Sequence, residues 1–367
     1  MGPWAAHVMA DYGADVIKVE APDGDIMRRT VPQKHDGMGA VFLNINRGKR
    51  SITLDLKTAE GRSALLKLCA KADVFVHNVR PEAMRRLGLG YDDVRAANPK
   101  IIYASLMGFS QDGPYAKRAA YDDLIQGACG LASLFERSGG DRPRYVPMLI
   151  VDRAVGMSAV NAILAALLYR ERTGIGQAVD VPMFETMVEL VLSDHLGGST
   201  FVPAHGPMGY ARTLTEYRRP YRTSDGYVSV LLYNEDHWVR FFTVAGEAER
   251  YANDPHLSDI SVRREHYDIA YRIVEEVIAS RTSAEWLTLL AENDIPVMPL
   301  HDLESLLDDP HLTATGFFGE IDHPTEGRLR TLGIPTRWSV TQPGTPGPVP
   351  VLGQHTTEIL SELATEA

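Results

Sequence analysis

Asp152 stands between an apolar segment, residues 146–151, and a predicted apolar helix over residues 153–172. The positive end of a helix dipole favours a negative charge at this place. Two interpretations fit the residues: the carboxylate caps the helix by accepting a backbone N–H, or it is a nucleophile that attacks an activated acyl group. Capping is the commoner use of an aspartate at a helix start, and the local sequence leaves both interpretations open.

Other patterns that could carry chemistry are weaker. The run Gly174-Ile175-Gly176 resembles the start of a dinucleotide-binding loop, but it follows a predicted helix, and Val179 takes the place of the third glycine. Glu20 ends a predicted strand without a glycine loop before it, which favours a plain charge at a strand end over a ribose-binding acid. The histidines are scattered without ligand spacing. The sequence therefore predicts no metal site and no permanently bound cofactor.

Strands and helices alternate through the first half of the chain, which indicates an α/β fold with a mostly parallel sheet. A stretch rich in Gly, Pro and His at residues 197–209 is the best candidate for a domain boundary. We predict a large domain of residues 1–195 plus 320–367 and a small domain of residues 210–315. Residues 196–209 and 316–350 are the predicted linkers.

Composition narrows the function classes. The chain has 367 residues with 48 Asp+Glu against 37 Lys+Arg, and this net charge of −11 argues against a nucleic-acid partner. Cys69 and Cys129 are its two cysteines; they are far apart and predict no disulfide, which fits a reducing cytoplasm. The longest apolar stretch, residues 154–169, is shorter than the ~20 residues that span a bilayer, so we predict a buried helix and no membrane partner.

Three segments in this order and spacing resemble the family III coenzyme A transferases, a family that contains both CoA-transferases and an acyl-CoA racemase. They are residues 2–20 (GPWAAHVMADYGADVIKVE), residues 46–57 (NRGKRSITLDLK), and Asp152 with the helix that ends in residues 169–177 (YRERTGIGQ). The resemblance implies a large Rossmann-like domain with an open parallel sheet, a smaller inserted α+β domain, and an interlocked homodimer. It also implies that coenzyme A and acyl-CoA are substrates and that a carboxylic acid is the acceptor.

The resemblance also implies roles for particular residues. Asp152 matches the nucleophile of the family, which forms a mixed anhydride with the acyl group and then a thioester with CoA. Tyr121 stands where the racemases carry a histidine; a tyrosine is a poor proton-transfer partner but can donate a hydrogen bond to an acyl oxygen. The residues implied for coenzyme A are three cations, an amide and three apolar side chains: Arg28, Lys57, Arg86, Asn78, Leu54, Val79 and Met183.

Two alternatives remain beside an acyl-CoA:carboxylate CoA-transferase. One is an acyl-CoA racemase or epimerase, which Tyr121 disfavours. The other is a CoA-binding protein without turnover, which stays open because the strand and turn that begin other family members are missing before residue 2. The second domain carries Arg212, Arg218 and Arg219, which could bind the free carboxylate of a dicarboxylic substrate or be plain surface charges. The sequence leaves the acyl donor and the acceptor acid open.

Overall fold

The computed structural model describes residues 1–344 and 346–365. The predicted linker 316–350 and the predicted end of the large domain thus include positions, 345 and 366–367, that lie outside the described residues. In chain order the strands are β1 Val16–Glu20, β2 Lys49–Thr53, β3 Val74–His77, β4 Ile102–Met107, β5 Gln177–Pro182, β6 Tyr221–Arg222, β7 Tyr227–Val230, β8 Val297–Pro299, β9 Phe318–His323 and β10 Gly327–Leu332.

The helices are interspersed with these strands throughout the described chain. In chain order they are α1 Gly2–Asp11, α2 Ala40–Ile45, α3 Ala59–Lys71, α4 Pro81–Arg86, α5 Tyr91–Ala97, α6 Asp122–Ala128, α7 Ser133–Arg137, α8 Ile150–Thr173, α9 Met183–His195, α10 Glu235–Ala245, α11 Ala248–Asn253, α12 Pro255–Ser258, α13 Ile260–Glu265, α14 Tyr267–Ile278, α15 Ser283–Glu292, α16 Pro310–Ala314 and α17 Thr356–Thr365.

The described chain divides into two compact units. The first combines Met1–Cys129, Val146–Leu190 and the described residues from Pro310 onward. The second consists of Gly130–Tyr145 and Val191–Asp309. Compared with the predicted boundaries, the short segment 130–145 groups with the second unit, and the return to the first unit begins at Pro310.

Parallel strands form the centre of the first unit, which confirms the mixed α/β prediction. β1 pairs with β2, and β3 pairs with β4, which pairs with β5; every one of these pairs is parallel. Each residue of β4 is buried, as expected for a strand with both faces covered. Within the described residues no strand joins β1 to β3. The predicted single open sheet is therefore wrong in this respect, and two parallel sheets take its place.

One hydrophobic core joins these two sheets with the C-terminal helix. It includes Ile52 of β2, Tyr103 of β4, Leu65 of α3 and Ile359 of α17. The backbone just before α17 also bonds to β2, because the His355 N–H donates to the Ser51 carbonyl at 2.9 Å. Helix α17 thus belongs structurally to the first unit.

The second unit has its own core of aromatic and aliphatic side chains. Antiparallel strands β6, β7 and β8 form its sheet, and α10, α14 and α15 supply most of the buried residues. Phe241 and Trp286 are fully buried and stack with ring centroids 5.8 Å apart. The unit is a small α+β structure.

Helix α8 is longer than the sequence predicted. It spans 24 residues, and its most apolar window has a mean hydropathy of 1.5, so by length and composition it is able to cross a membrane. The expectation that the stretch is too short was therefore wrong. A core helix of a soluble protein passes the same test, and Val151, Val155, Ala159 and Ile163 of α8 are buried within the protein.

Two buried histidines predict how stability depends on pH. Burial lowers the pKa of His7 in α1 and of His77 in β3 to about 4. Because the unfolded chain binds these protons near pH 6.5, stability falls as the pH drops from 6.5 to 4, by about 2 kcal/mol for each histidine at pH 5. Urea unfolding at pH 7.5 and pH 5.0 measures the difference.

A His77→Asn variant provides the control, because its amide is able to keep the donor to the Val79 carbonyl that His77 Nδ1 now supplies at 3.1 Å. We expect the variant to lose about half of the pH dependence that the two histidines cause. An equal fall in stability for the variant and the parent protein would contradict the assignment to His77.

Candidate active site

Asp152 is the third residue of α8, within its first turn. The N-cap is Leu149, whose own side chain makes no capping hydrogen bond. The predicted helix start at residue 153 was therefore late by three residues, and the interpretation of Asp152 as the helix cap is wrong. The Asp152 side chain is 30% exposed. It is an accessible carboxylate in the region where the helix dipole stabilises negative charge.

Two groups lie next to Asp152. Its backbone N–H donates to Oδ2 of Asp122 at 2.8 Å, and its own Oδ1 lies 3.1 Å from the α-amino nitrogen of Met1. The carboxylate thus lies where the first residues of α1 meet the first turn of α8.

A glycine allows α1 to approach α8 this closely. A Cβ on Gly156 would lie 2.8 Å from Cδ1 of Trp4 and 3.0 Å from the carbonyl oxygen of Met1. The guanidinium of Arg153 lies 4.5 Å from the centre of the Trp4 ring and completes this contact. The packing of α1 on α8 therefore defines one wall of the space around Asp152.

Tyr121 directly precedes Asp122, at the N-cap of α6, and its side chain is 72% exposed. Its position depends on a close approach of the preceding residue to the end of β4, because a Cβ on Gly108 would lie 2.3 Å from Cβ of Ala120. Among the described residues its hydroxyl makes no hydrogen bond to Asp152. The structure therefore places Tyr121 next to Asp122, which accepts the Asp152 N–H, and leaves the Tyr121 side chain exposed.

Five of the seven residues predicted to bind coenzyme A follow the carboxyl ends of parallel strands, where open α/β sheets bind ligands. Leu54 and Lys57 follow β2, Asn78 and Val79 follow β3, and Met183 follows β5. Asn78 adjoins the start of α1, since its side chain is about 4 Å from where a Cβ on Gly2 would lie. Gly2 is the neighbour of Met1, which contacts Asp152.

Exposure separates this predicted set into two groups. Lys57, Asn78, Val79 and Arg86 are exposed. Leu54 and Met183 are buried, with 7% and 2% of their surface exposed, so they pack in the interior instead of facing a bound ligand. The prediction that these two side chains line the coenzyme site is therefore not supported by the geometry.

The prediction that Arg28 binds coenzyme A is also corrected. It is 2% exposed, and its guanidinium donates to both carboxylate oxygens of Glu20 at 2.7 and 2.8 Å. It also lies 4.0 Å from the centre of the Phe42 ring and donates to the Pro350 carbonyl. Because all of these partners are internal, Arg28 is a structural ion pair here and offers no free cation to a phosphate.

The three arginines predicted to contact a substrate carboxylate lie in the second unit. Nε of Arg212 donates to the Tyr271 hydroxyl at 3.0 Å, and Arg219 forms an ion pair with Glu275 at 3.1 Å. Arg218 is exposed. Two of the three side chains are thus already engaged within the second unit.

Asp122 and Gln126 are near Asp152, and the sequence did not single them out. They are four residues apart on α6, and their exposures are 6% and 0%. The i, i+4 spacing of two polar residues on one helix face was the available signal. A cleft of about 750 Å³ elsewhere in the first unit, between α2, the β9–β10 hairpin and Pro343, contains none of the predicted site residues.

Comparison with known proteins decides the family. The model of CoA-transferase family III matches residues 1–356. The chain belongs to CoA-transferase family III. Membership confirms the resemblance and makes the protein an enzyme of the CoA-transferase class.

Relatives of this family III transferase cover nearly its whole length. It is 31% identical to the succinate–glutarate CoA-transferase of Agrobacterium fabrum, over 99% of this chain and 92% of that protein. It is 31% identical to a probable fatty acyl-CoA transferase of Mycobacterium tuberculosis, over 98% and 94% of the two chains. The crystal structure of a CaiB/BaiF family protein from Brucella suis matches with a TM-score of 0.81 and 33% identity, over 98% and 95% of the chains.

Proposed function

We propose that this CoA-transferase moves CoA between two carboxylic acids with Asp152 as its covalent nucleophile. The observation that carries the proposal is the accessible Asp152 carboxylate in the first turn of α8, which caps no helix and lies where the first residues of α1 meet α8. A carboxylate in this setting is available to attack the acyl carbon of a thioester, from which coenzyme A leaves as its thiolate.

The proposed reaction has four steps and needs no net proton transfer. An oxygen of Asp152 attacks the thioester carbon, the C–S bond breaks, and its electron pair leaves on the CoA thiolate, giving a mixed anhydride. The thiolate then attacks the Asp152 carboxyl carbon and expels the donor acid as its carboxylate. The acceptor carboxylate attacks this aspartyl thioester, and the released thiolate attacks the acceptor acyl carbon, which restores the Asp152 carboxylate.

We assign the coenzyme to exposed residues that follow β2 and β3 and to Arg86 at the end of α4. Lys57 and Arg86 are exposed cations available for phosphates, and the side chain of Asn78 adjoins Gly2 at the start of α1. For the acyl group we favour a dicarboxylic acid such as succinate. This choice is supported by relatives named as succinyl-CoA:glutarate and succinyl-CoA:mesaconate CoA-transferases.

One incubation distinguishes transfer from racemisation. The protein is mixed in deuterated water with succinyl-CoA, with a 2-methylacyl-CoA, and with an isotopically labelled acceptor acid. We expect labelled acceptor to appear as its CoA thioester while the α carbon of the 2-methylacyl group takes up no deuterium, because Tyr121 is a poor base near neutral pH. Deuterium uptake at the rate of transfer would favour the racemase. If neither transfer nor deuterium uptake occurs, the result would favour a CoA-binding protein without turnover.

We further propose that the protein is a homodimer with interlocked chains and that it works in the cytoplasm. Met157, Leu164 and Leu168 are spaced by seven and four residues on α8, and each is about half exposed. This spacing forms one apolar stripe, which a second copy would cover. Light scattering at micromolar concentration tests the assembly; a folded and active monomer would contradict it. Cys69 is a buried cysteine outside any disulfide, which fits a reducing compartment.

A further inference from the structure

Helix α8 begins without a capping side chain from its own segment, and a carboxylate from another helix takes that place. The N–H of Asp152 in the first turn donates to Oδ2 of Asp122 at 2.8 Å, 30 residues earlier in the chain. Asp122 is only 6% exposed. Burying a charged group is unfavourable unless it is hydrogen-bonded, so this contact is expected to be specific in geometry.

Gln126 fixes Asp122 from one turn further along α6. Its Nε2 donates to Oδ1 of Asp122 at 2.7 Å, while its Oε1 accepts the N–H of Val146 at 2.8 Å. The side chain of Gln126 is fully buried. One amide therefore holds both the carboxylate that binds the Asp152 backbone and the chain segment that leads into α8.

We propose that Asp122, fixed by Gln126, is a positioning residue for the nucleophile. The inference rests on the proposed role of Asp152. The hydrogen bond from the Asp152 N–H holds the backbone of Asp152, whose carboxylate must reach the acyl carbon. It therefore restricts the backbone torsions of Asp152. Both oxygens of Asp122 are engaged, which leaves Asp152 as the accessible carboxylate of the two.

If Asp122 is a positioning residue, turnover should fall when its carboxylate, which accepts the hydrogen bond from the Asp152 N–H, is removed. We expect Asp122→Ala to lower kcat for CoA exchange from succinyl-CoA about 10- to 100-fold, since a displacement of the order of 1 Å has effects of this size. KM for succinyl-CoA should change by less than about threefold, because Asp122 is not expected to touch the coenzyme. The exposed neighbour provides the control, and Asp123→Asn should retain parental kcat.

A paired variant separates hydrogen bonding from a general loss of structure. Asp122→Asn alone leaves one amide facing another, because Gln126 already donates to residue 122. In Asp122→Asn with Gln126→Glu, the introduced asparagine is able to accept from the Asp152 N–H and donate to the introduced glutamate, which also accepts from Val146. We expect this double variant to recover kcat to within about fivefold of the parent protein, whereas the single Asp122→Asn variant remains impaired.

Trapping with hydroxylamine after mixing with succinyl-CoA distinguishes a failure of this inference from a failure of the proposed function. No hydroxamate on Asp152 in the parent protein would overturn the nucleophile itself. Hydroxamate formation on Asp152 at equal rates in the parent protein and in folded Asp122→Ala would overturn only the positioning role. If Asp122→Ala does not fold, the double variant is the test. A folded double variant whose kcat is as low as that of the single Asp122→Asn variant contradicts the inference.

Discussion

Asp152→Asn is expected to abolish CoA transfer, with turnover reduced by at least about a thousandfold, while coenzyme A still binds. The amide keeps the size of the side chain but has no anionic oxygen to form the anhydride. Exchange of a labelled acid into its CoA thioester measures the loss, and calorimetric titration with CoA measures the binding. Asp123→Asn, which removes an exposed carboxylate on α6, is the matched control and should retain activity.

Mass spectrometry then locates the covalent step. After the parent protein is mixed with acyl-CoA and hydroxylamine, the peptide that contains Asp152 should carry a hydroxamate, and the Asp152→Asn protein should carry none. Trapping on a different carboxylate would refute the assignment, as would full turnover in the Asp152→Asn variant. A residue that served only as a helix cap would tolerate Asn, because Asn and Asp cap helices about equally well.

The family resemblance in the sequence was enough to propose Asp152 as the nucleophile, but the sequence did not predict the surroundings of this residue. The segments around residues 2–20, 46–57 and 152–177 carry the family resemblance, and the match of the family model to residues 1–356 confirms it. The bond from the Asp152 N–H to Asp122 spans 30 residues, and it depends on how α6 packs against α8. A local pattern contains no information of this kind.

Some residues that were predicted to bind coenzyme A from their position in a motif have a different environment in the fold. Arg28 matched the family by position, yet it is paired with Glu20 eight residues earlier. Two opposite charges that flank a turn between a strand and the next element were a readable sign of an internal ion pair. Leu54 and Met183 are apolar and adjoin strand ends, so their burial in the core was as consistent with the sequence as a place beside a ligand.

The parallel strands illustrate the same limit at the level of the fold. The alternation of strands and helices correctly predicted parallel pairing, because parallel neighbours require a crossover between them. The order of strands in a sheet depends on which edges meet, and alternation does not specify this. The described chain has β1 beside β2 and β3 beside β4, with no described strand between β1 and β3.

Gly156→Val is expected to destabilise the protein and impair transfer together. The added Cβ would lie 2.8 Å from the Trp4 ring and 3.0 Å from the Met1 carbonyl, so α1 must move away from α8. Overpacking of this kind lowers the free energy of unfolding by about 1 to 3 kcal/mol. The movement also displaces the residues that adjoin Asp152, and we expect kcat to fall at least about tenfold.

A size series and a surface control show whether this effect comes from the close approach. Gly156→Ala should give a smaller loss, because better helix propensity offsets part of the overpacking. Ala70→Val, at an exposed site of α3, measures the effect of a β-branched side chain on a helix without a tight contact, and it should leave transfer unchanged. Urea unfolding and exchange kinetics are measured on each protein. Turnover that falls only in proportion to the folded fraction would show that α1 supports stability alone, whereas wild-type stability and turnover in Gly156→Val would contradict the packing of α1 on α8.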